Sequence, residues 1–128
     1  MTSLGGLKAV DGLFGVDMGT QEASIVFTNT NGQVIATGTS KPIKFVDGLP
    51  FGHKEHNLVD WEIAFRQAFA DFGKDLVAKG FKCREILGLL VAGQMHGLVI
   101  GYNDGTFEST ARLWLGQGSI QTKPKMLR

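Results

Sequence analysis

Residues 12–20 of this 128-residue chain read Gly-Leu-Phe-Gly-Val-Asp-Met-Gly-Thr. The short apolar run at 12–18 is bounded by glycines, which predicts a buried β-strand. The strand ends at Asp17, so it presents a carboxylate beside a tight turn at Gly19-Thr20. Glycine lets backbone N–H groups approach an anion closely, and a carboxylate is a ligand that Mg²⁺ prefers. The alternative is an aspartate that closes the turn through local hydrogen bonds.

Two further strands are predicted after this turn. Residues 23–27 are rich in β-favouring side chains, and Asn31-Gly32 is a strong hairpin signal because both positions tolerate positive φ. Residues 33–39 supply the returning strand, which gives a three-strand antiparallel meander. The connection at 41–57 is long, and such loops usually carry function.

A helix is predicted after the long connection. Asn57 is a suitable N-cap, and Asp60 and Glu62 place negative charge in the first turn, where the helix dipole favours it. Gly80 is a natural C-terminal stop. Apolar residues recur at helical spacing, which predicts core positions for the aromatic side chains Trp61, Phe65, Phe69 and Phe72.

The second half of the chain predicts more strands. Residues 86–92 are almost wholly apolar, which indicates a buried strand beside the first. A hairpin with strands at 98–102 and 111–115 is predicted around the turn Asn103-Asp104-Gly105. The order of meander, helix, strand and hairpin is that of a mixed α/β domain.

A second candidate site is the loop Gly93-Gln94-Met95-His96-Gly97. Polar side chains at the exit of a buried strand in an α/β sheet lie where ligands usually bind. Gln94 and His96 can exchange hydrogen bonds with sugar hydroxyls, and Met95 supplies an apolar wall. The alternative is a histidine that caps the strand or satisfies a nearby carbonyl.

Two other groups of residues are not assigned a site. His53, Glu55 and His56 suit a metal, but they lie in a loop without a second ligand cluster, which favours a solvated loop and helix cap. Cys83 lies between Lys82 and Arg84, which would lower its pKa. A lone cysteine is usually inert, so a structural role is predicted.

The composition narrows the class of protein. An apolar content of 43% and a charged content of 20% are typical of a globular domain. The formal net charge of +1 gives no field that attracts nucleic acid or a membrane surface. A single cysteine and the lack of a long apolar stretch predict a cytoplasmic protein, without nucleic-acid or membrane partners.

In this order, the segments resemble the start of the FGGY family of carbohydrate kinases, and most of all its xylulokinase-like members. That family opens with a strand ending in Asp-x-Gly-Thr, here Asp17-Met18-Gly19-Thr20, and a hairpin with an Asn-Gly turn. A Gly-Trp-x-Glu-(Gln/His)-Asp-Pro segment and an Asp-Trp helix start correspond to residues 52–57 and to Asp60-Trp61. The family's Gly-Gln-Met-His-Gly is matched at every position of 93–97. The resemblance covers about residues 13–114.

The resemblance implies an actin-like (ribonuclease H-like) ATPase fold and transfer of a phosphoryl group from ATP to a ketose such as D-xylulose. It implies that Asp17 acts near Mg²⁺ and the phosphates, which Gly19 and Thr20 approach. It also implies that Met95 and His96, with Gln94 beside them, contact the ketose. The family's catalytic base and second domain lie further along than these 128 residues extend, so the chain alone is expected to be inactive.

The chain departs from the family pattern in two places. Glu22 stands where the family has Ser or Thr, and a carboxylate beside a triphosphate weakens ATP binding unless it points away or joins the metal site. After Trp114 the family's aspartate and arginine are missing. We therefore expect a flexible extension at 1–12, a partial, truncated kinase domain at 13–115, and a divergent, disordered tail at 116–128.

Two alternative hypotheses remain open from the sequence. Beside the leading hypothesis of a fragment of a xylulokinase-like enzyme, the first alternative is a non-catalytic sugar-binding or regulatory remnant of such a kinase. The second is a product without a stable fold. A truncated domain of this kind would leave apolar faces of its sheet uncovered, which favours aggregation.

Overall fold

The computed structural model of the chain describes residues 4–116 and contains one long helix and two sheets. A short 3-10 turn at Leu4–Gly6 precedes the first strand. In chain order the elements are β1 (Lys8–Met18), β2 (Ala23–Thr28), β3 (Val34–Thr39), β4 (Glu55–Asn57), α1 (Leu58–Ala78), β5 (Phe81–Gly93) and β6 (Thr110–Arg112). No helix among the described residues is long and apolar enough to cross a membrane.

The main sheet has four strands in the order β3-β2-β1-β5. The first three form the predicted antiparallel meander. β5 pairs with β1 in parallel, and the register places Met18 beside Gly93. The carboxyl ends of β1 and β5 therefore lie at the same edge of the sheet.

β1 begins earlier than predicted. Residues 8–12, assigned from the sequence to a flexible extension, form its first part and pair with β5 from Lys8↔Phe81 onward. The Lys8 N–H also donates to the Gly80 carbonyl at 2.8 Å. The residues around Lys8 and Asp11 have no apolar run of their own. They form a strand because they pair with β5, which lies far along the chain. Of the predicted tail, only Gly116 is among the described residues.

The turn between β2 and β3 differs from the predicted Asn31-Gly32 hairpin turn. It spans residues 29–33, and within it only Gly32 has a positive φ, of 78°. The Asn29 side-chain oxygen accepts hydrogen bonds from the N–H groups of Asn31 and Gln33, each at 3.0 Å. Asn29 therefore stabilises a longer turn than two residues allow.

Helix α1 begins after Asn57, at the predicted N-cap position, although the Asn57 side chain makes no capping hydrogen bond. It ends at Ala78, with Lys79 as the C-cap residue before Gly80, whose φ is 83°. The helix packs on the meander through small residues: a Cβ at Gly38 would lie 2.2 Å from the Ala68 carbonyl oxygen. Its buried residues are Ala64, Ala68, Phe72 and Leu76.

The predicted core role of the helix aromatics is confirmed in full for Phe72 and in part for Trp61, which packs against the core. Phe65 is 39% exposed, Phe69 is 37% exposed, and Trp61 is partly buried. Because the helix approaches the sheet through alanines, the buried stripe is narrow and the larger rings lie on its flank. Phe72 packs against Phe14 and Phe27, with ring centroids 5.0 and 6.0 Å away.

Two predictions for the second half of the chain need correction. β5 is not buried: Leu89, Leu90 and Val91 are each more than 60% exposed. The helix covers the β2–β3 side, and β5 forms the uncovered edge of the sheet. The predicted hairpin at 98–115 has only two isolated bridges, while β6 pairs with β4 in a separate two-stranded sheet.

Candidate functional site

A cleft of about 540 Å³ opens at the carboxyl ends of β1 and β5. Both candidate sites from the sequence contribute to it, one from each strand. Its lining residues are Asp17, Gly19, Thr20, Gly93, Gln94, Met95, His96 and Trp114. The structure therefore brings together all the residues that the sequence assigned to phosphate and sugar contacts; their roles remain predictions.

Parallel pairing explains why two distant segments meet here. Met18 and Gly93 are partners in the register of β1 and β5, and the Gln94 N–H donates to the Met18 carbonyl at 3.1 Å. The backbone pairing thus extends one residue beyond β5. Both loops leave the sheet from the same place, which is the usual position of ligand sites in α/β sheets.

The turn after β1 is closed by backbone. The Gly19 N–H donates to the Glu22 carbonyl at 3.0 Å, and a Cβ at Gly19 would lie 3.0 Å from that oxygen. The Gly19 N–H is therefore engaged within the turn. Asp17 is exposed, and the bond that closes the turn does not involve its carboxylate.

Glu22 stands out in the sequence because a carboxylate would repel a triphosphate. Its side chain is exposed and is not among the residues that line the cleft. The residue contributes its backbone carbonyl to the turn. The electrostatic cost expected from Glu22 is therefore reduced by its position outside the cleft.

The Thr20 hydroxyl connects three parts of the cleft. It donates to the Gln94 side-chain oxygen at 2.8 Å and accepts a long hydrogen bond from the Trp114 indole N–H at 3.5 Å. A threonine hydroxyl has a single proton to donate. With that proton on Gln94, Thr20 has no side-chain donor left for a phosphate.

The loop after β5 is strained at His96. Its φ of 60° lies in the left-handed region, which a non-glycine residue seldom adopts. The side chain is exposed, and the neighbouring Met95 is 74% exposed. Backbone strain of this kind is concentrated at ligand sites, and at 96 it accompanies side chains that face solvent in a cleft.

Trp114 lines the cleft but was not among the predicted site residues. It is 56% exposed and lies just after β6, close to the turn that follows β1. In the sequence, Trp114 marks the point after which the aspartate and arginine of the family pattern are missing. Periodicity gave no signal because Trp114 belongs to an irregular segment.

The prediction of a solvated loop at His53 and His56 is wrong for His56. Its ring is fully buried, and Nδ1 accepts a hydrogen bond from the Trp61 indole at 3.0 Å. The Phe45 ring stacks on it with centroids 5.1 Å apart. Burial lowers the pKa of His56, and the Asp60 carboxylate opposes that shift. His56 is thus a core residue.

The remaining candidates for chemistry are clusters of metal-binding side chains and the thiol of Cys83. Within residues 4–116, no group of three or more His, Cys, Asp or Glu side chains is placed to hold a metal ion. Burial raises the pKa of the Cys83 thiol, and the nearby Asp11 carboxylate raises it further. The predicted lowering by Lys82 and Arg84 is therefore wrong, and Arg84 instead forms an ion pair with Asp11.

Comparison with known proteins identifies relatives of this chain. No protein-family model matches it. It is 30% identical over 116 residues to the xylulose kinase of Bacillus subtilis, covering 91% of this chain and 22% of that protein. The chain thus spans about a fifth of the length of this relative.

Solved structures of sugar kinases share the fold. A xylulose kinase from Brucella ovis matches with a TM-score of 0.73 at 18% identity, over 88% of this chain and 22% of its own. A glycerol kinase from Plasmodium falciparum with ADP matches with a TM-score of 0.72 at 12% identity, over 92% and 23%. The resemblance to FGGY carbohydrate kinases is confirmed, and the mixed sheet with one helix is a portion of their actin-like fold.

Proposed function

We propose that this chain, similar to part of the FGGY carbohydrate kinases, provides the sugar-facing cleft of an ATP-dependent kinase that phosphorylates a ketose such as D-xylulose. The observation that carries the proposal is the shared cleft, which sets the Asp17 carboxylate beside the Gln94-Met95-His96 loop. Phosphoryl transfer depends on positioning and charge neutralisation, so an acidic group next to a hydroxyl-binding loop is the arrangement it needs.

The loop after β5 supplies the sugar side of the proposed site. The exposed His96 ring and the Gln94 amide can exchange hydrogen bonds with hydroxyl groups. Met95 and Trp114 add apolar surface on either side. His96 also has a left-handed backbone conformation, with a φ of 60°, and backbone strain of this kind is concentrated at ligand sites.

The turn after β1 supplies the phosphate side. The exposed Asp17 carboxylate fits an indirect Mg²⁺ ligand, and the ion, when bound, neutralises phosphate charge. Because Gly19 has no side chain, it leaves space for a phosphate in this part of the cleft. The donors predicted at Gly19 and Thr20 fit less well, because both are engaged within the protein.

ATP is proposed as the phosphoryl donor by similarity. The Plasmodium falciparum glycerol kinase, whose structure holds ADP, shares the fold over 92% of this chain. Because the chain corresponds to less than a quarter of the relatives' length, we propose that the 128 residues bind the sugar but release no ADP by themselves.

A second candidate function is sugar binding without phosphoryl transfer. The internal hydrogen bonds of Gly19 and Thr20 favour it, since they leave the phosphate side with few free donors. In this case the Gln94-Met95-His96 loop keeps its role and Asp17 has none. Binding of a ketose that is independent of Mg-ATP is the behaviour expected of such a protein.

Calorimetric titration with D-xylulose, D-gluconate and glycerol, each with and without Mg-ATP, tests both functions. We expect the ketose to bind, and His96→Ala to weaken that binding by about five- to tenfold, because the hydrogen bond between the ring and a sugar hydroxyl is lost. The matched control is His53→Ala, which alters a histidine outside the cleft. Failure of every sugar to bind, or equal effects of the two variants, would contradict the proposal.

Nucleotide binding and turnover separate the two candidates. Asp17→Asn is expected to weaken Mg-ATP binding while leaving ketose binding unchanged if the kinase site is present. Ketose binding with no Mg-ATP binding supports the non-catalytic candidate instead. Ketose-dependent ADP release by the 128-residue chain in a coupled assay would reject our expectation that it is inactive alone.

A further inference from the structure

We propose that Thr20 is a positioning residue, whose side-chain hydroxyl ties the three walls of the cleft together. The proposal rests on the proposed sugar-binding function of the cleft. Its basis is the pair of hydrogen bonds at the Thr20 hydroxyl, one to Gln94 at 2.8 Å and one from Trp114 at 3.5 Å.

The three residues come from distant parts of the chain. Gln94 is 74 positions from Thr20, and Trp114 is 94 positions from it. The two partners belong to the loop after β5 and to the segment after β6, and neither element pairs with the turn that carries Thr20. The β1–β5 pairing already brings Gln94 beside the end of β1, so the hydroxyl adds a side-chain bond there and also links the first sheet to the segment after β6, which belongs to the second sheet.

The direction of the hydrogen bonds fixes what Gln94 presents to a ligand. An indole nitrogen can only donate, so the Thr20 oxygen is the acceptor for Trp114. Independently of that bond, the Thr20 hydroxyl donates its proton to Gln94 Oε1, which leaves the Gln94 amide NH₂ as the group available in the cleft. Thr20 therefore makes Gln94 a donor toward a sugar oxygen.

The surrounding backbone is ordered on both sides of this link. The Gln94 N–H is held by the Met18 carbonyl, and the turn after β1 is closed by the Gly19–Glu22 bond. Both ends of the Thr20–Gln94 bond therefore start from fixed backbone. The third member of the link, the Trp114 side chain, lines the cleft and is bonded there to the Thr20 hydroxyl.

Thr20→Val and Thr20→Ser form the test pair, because valine keeps the shape and removes the hydroxyl while serine keeps the hydroxyl. The chain has two tryptophans, so its NMR spectrum has two indole N–H signals, and that of Trp61 is an internal reference bonded to His56. Thr20→Val should shift the Trp114 indole and Gln94 amide signals without sugar present, and leave the Trp61 signal unchanged. Thr20→Ser should restore both.

Sugar affinity gives the second measurement. We expect Thr20→Val to weaken D-xylulose binding on the order of fivefold, the loss typical of one neutral hydrogen bond, and Thr20→Ser to recover most of it. Should Thr20→Val fail to fold, Gln94→Glu and Gln94→Met serve instead. Glutamate keeps an acceptor for the hydroxyl and should preserve the Trp114 signal, whereas methionine should shift it.

Unchanged Trp114 and Gln94 signals in Thr20→Val would overturn the proposal. Weaker Mg-ATP binding with unchanged signals would overturn it in favour of a phosphate ligand. If no variant or wild-type chain binds a sugar, yet the two signals follow the hydroxyl, the link is supported and the proposed function fails. The two failures are therefore distinguishable.

Discussion

The two sides of the main sheet differ sharply in how they are covered. On the helix side, Phe14, Phe27 and Ala36 are buried beneath α1. On the β5 side, Leu90 is 75% exposed, and an apolar groove of about 400 Å³ runs along Gly15, Val26 and Leu90. The cleft lies at the carboxyl ends of β1 and β5 and takes one loop from each strand.

This difference shows which part of the chain supports the fold. Apolar burial is the main favourable term in folding, and here it is concentrated in the meander and α1. β5 is held by its backbone pairing with β1, by Phe81 and Cys83 at its start, which pack partly buried against the core, and by the exposed Arg84–Asp11 ion pair. Exposed ion pairs contribute little. The apolar face expected to lie uncovered is the face that carries Leu90.

The largest expected effect is that of Gly38→Ala on the helix side. The new Cβ would lie 2.2 Å from the Ala68 oxygen and 2.4 Å from the Phe72 nitrogen, both backbone atoms that cannot move aside singly. We expect α1 to be displaced, with a loss of at least about 3 kcal/mol in the free energy of unfolding. Urea denaturation followed by circular dichroism measures it.

Gly88→Ala is the matched control for this prediction on the β5 side. Its Cβ would meet the end of the flexible Leu13 side chain at 3.1 Å, so we expect a change within about 0.5 kcal/mol. Equal losses in the two variants would mean that the helix-covered side does not dominate stability.

A medium effect is expected from acid on the buried side, at His56. Burial lowers its pKa from the ordinary value of 6.5, so the unfolded chain takes up a proton more readily than the folded one. The free energy of unfolding should therefore fall as pH decreases below about 6.5, by at most about 1.4 kcal/mol per pH unit. Denaturant titrations between pH 7.5 and pH 5 measure the slope.

Protonation is unfavourable because of the contacts of the ring. Nδ1 faces the Trp61 indole donor, and Nε2 is buried without a hydrogen-bond partner among the described residues. His56→Gln should flatten the slope between pH 6.5 and pH 5, while His53→Gln should leave it unchanged. A slope that survives His56→Gln would assign the effect to other groups.

The smallest effect on stability is expected at Leu90, on the uncovered side. Leu90→Lys should change the free energy of unfolding by about 0.5 kcal/mol or less, because the side chain is mostly exposed. It should nevertheless reduce self-association, since a charge interrupts the apolar edge that favours strand-to-strand contact. Sedimentation velocity across a concentration series detects the change.

Val34→Lys is the matched control, because it adds the same charge at an exposed position at the start of β3. If both variants reduce association equally, net charge explains the effect. A larger effect of Leu90→Lys identifies the β5 side as the associating surface.

Local signals in the sequence predicted the elements and the loops of the cleft. The short apolar run around Phe14, the helix start after Asn57 and the stop at Gly80 are encoded within a few residues, and the structure follows them. The Asp17 turn and the Gln94-Met95-His96 loop were predictable because each directly follows an apolar strand.

The sequence did not predict features that depend on distant partners. The start of β1 at Lys8, the pairing of β6 with β4 and the burial of His56 all require contacts with remote segments. Exposure of β5 was missed because an apolar run has the same pattern whether or not another layer covers it. The hydroxyl link at Thr20 follows only from side-chain positions.

The parallel pairing of β1 with β5 also sets the order of events in folding. Asp11 and Arg84, which join these strands, are 73 positions apart, whereas the meander is built from neighbouring segments. Closing so long a loop costs chain entropy before the pairing returns any stabilisation, and pairings of this kind form slowly. The ligand cleft is therefore expected to take shape in the last stage of folding, after the meander and its helix have formed.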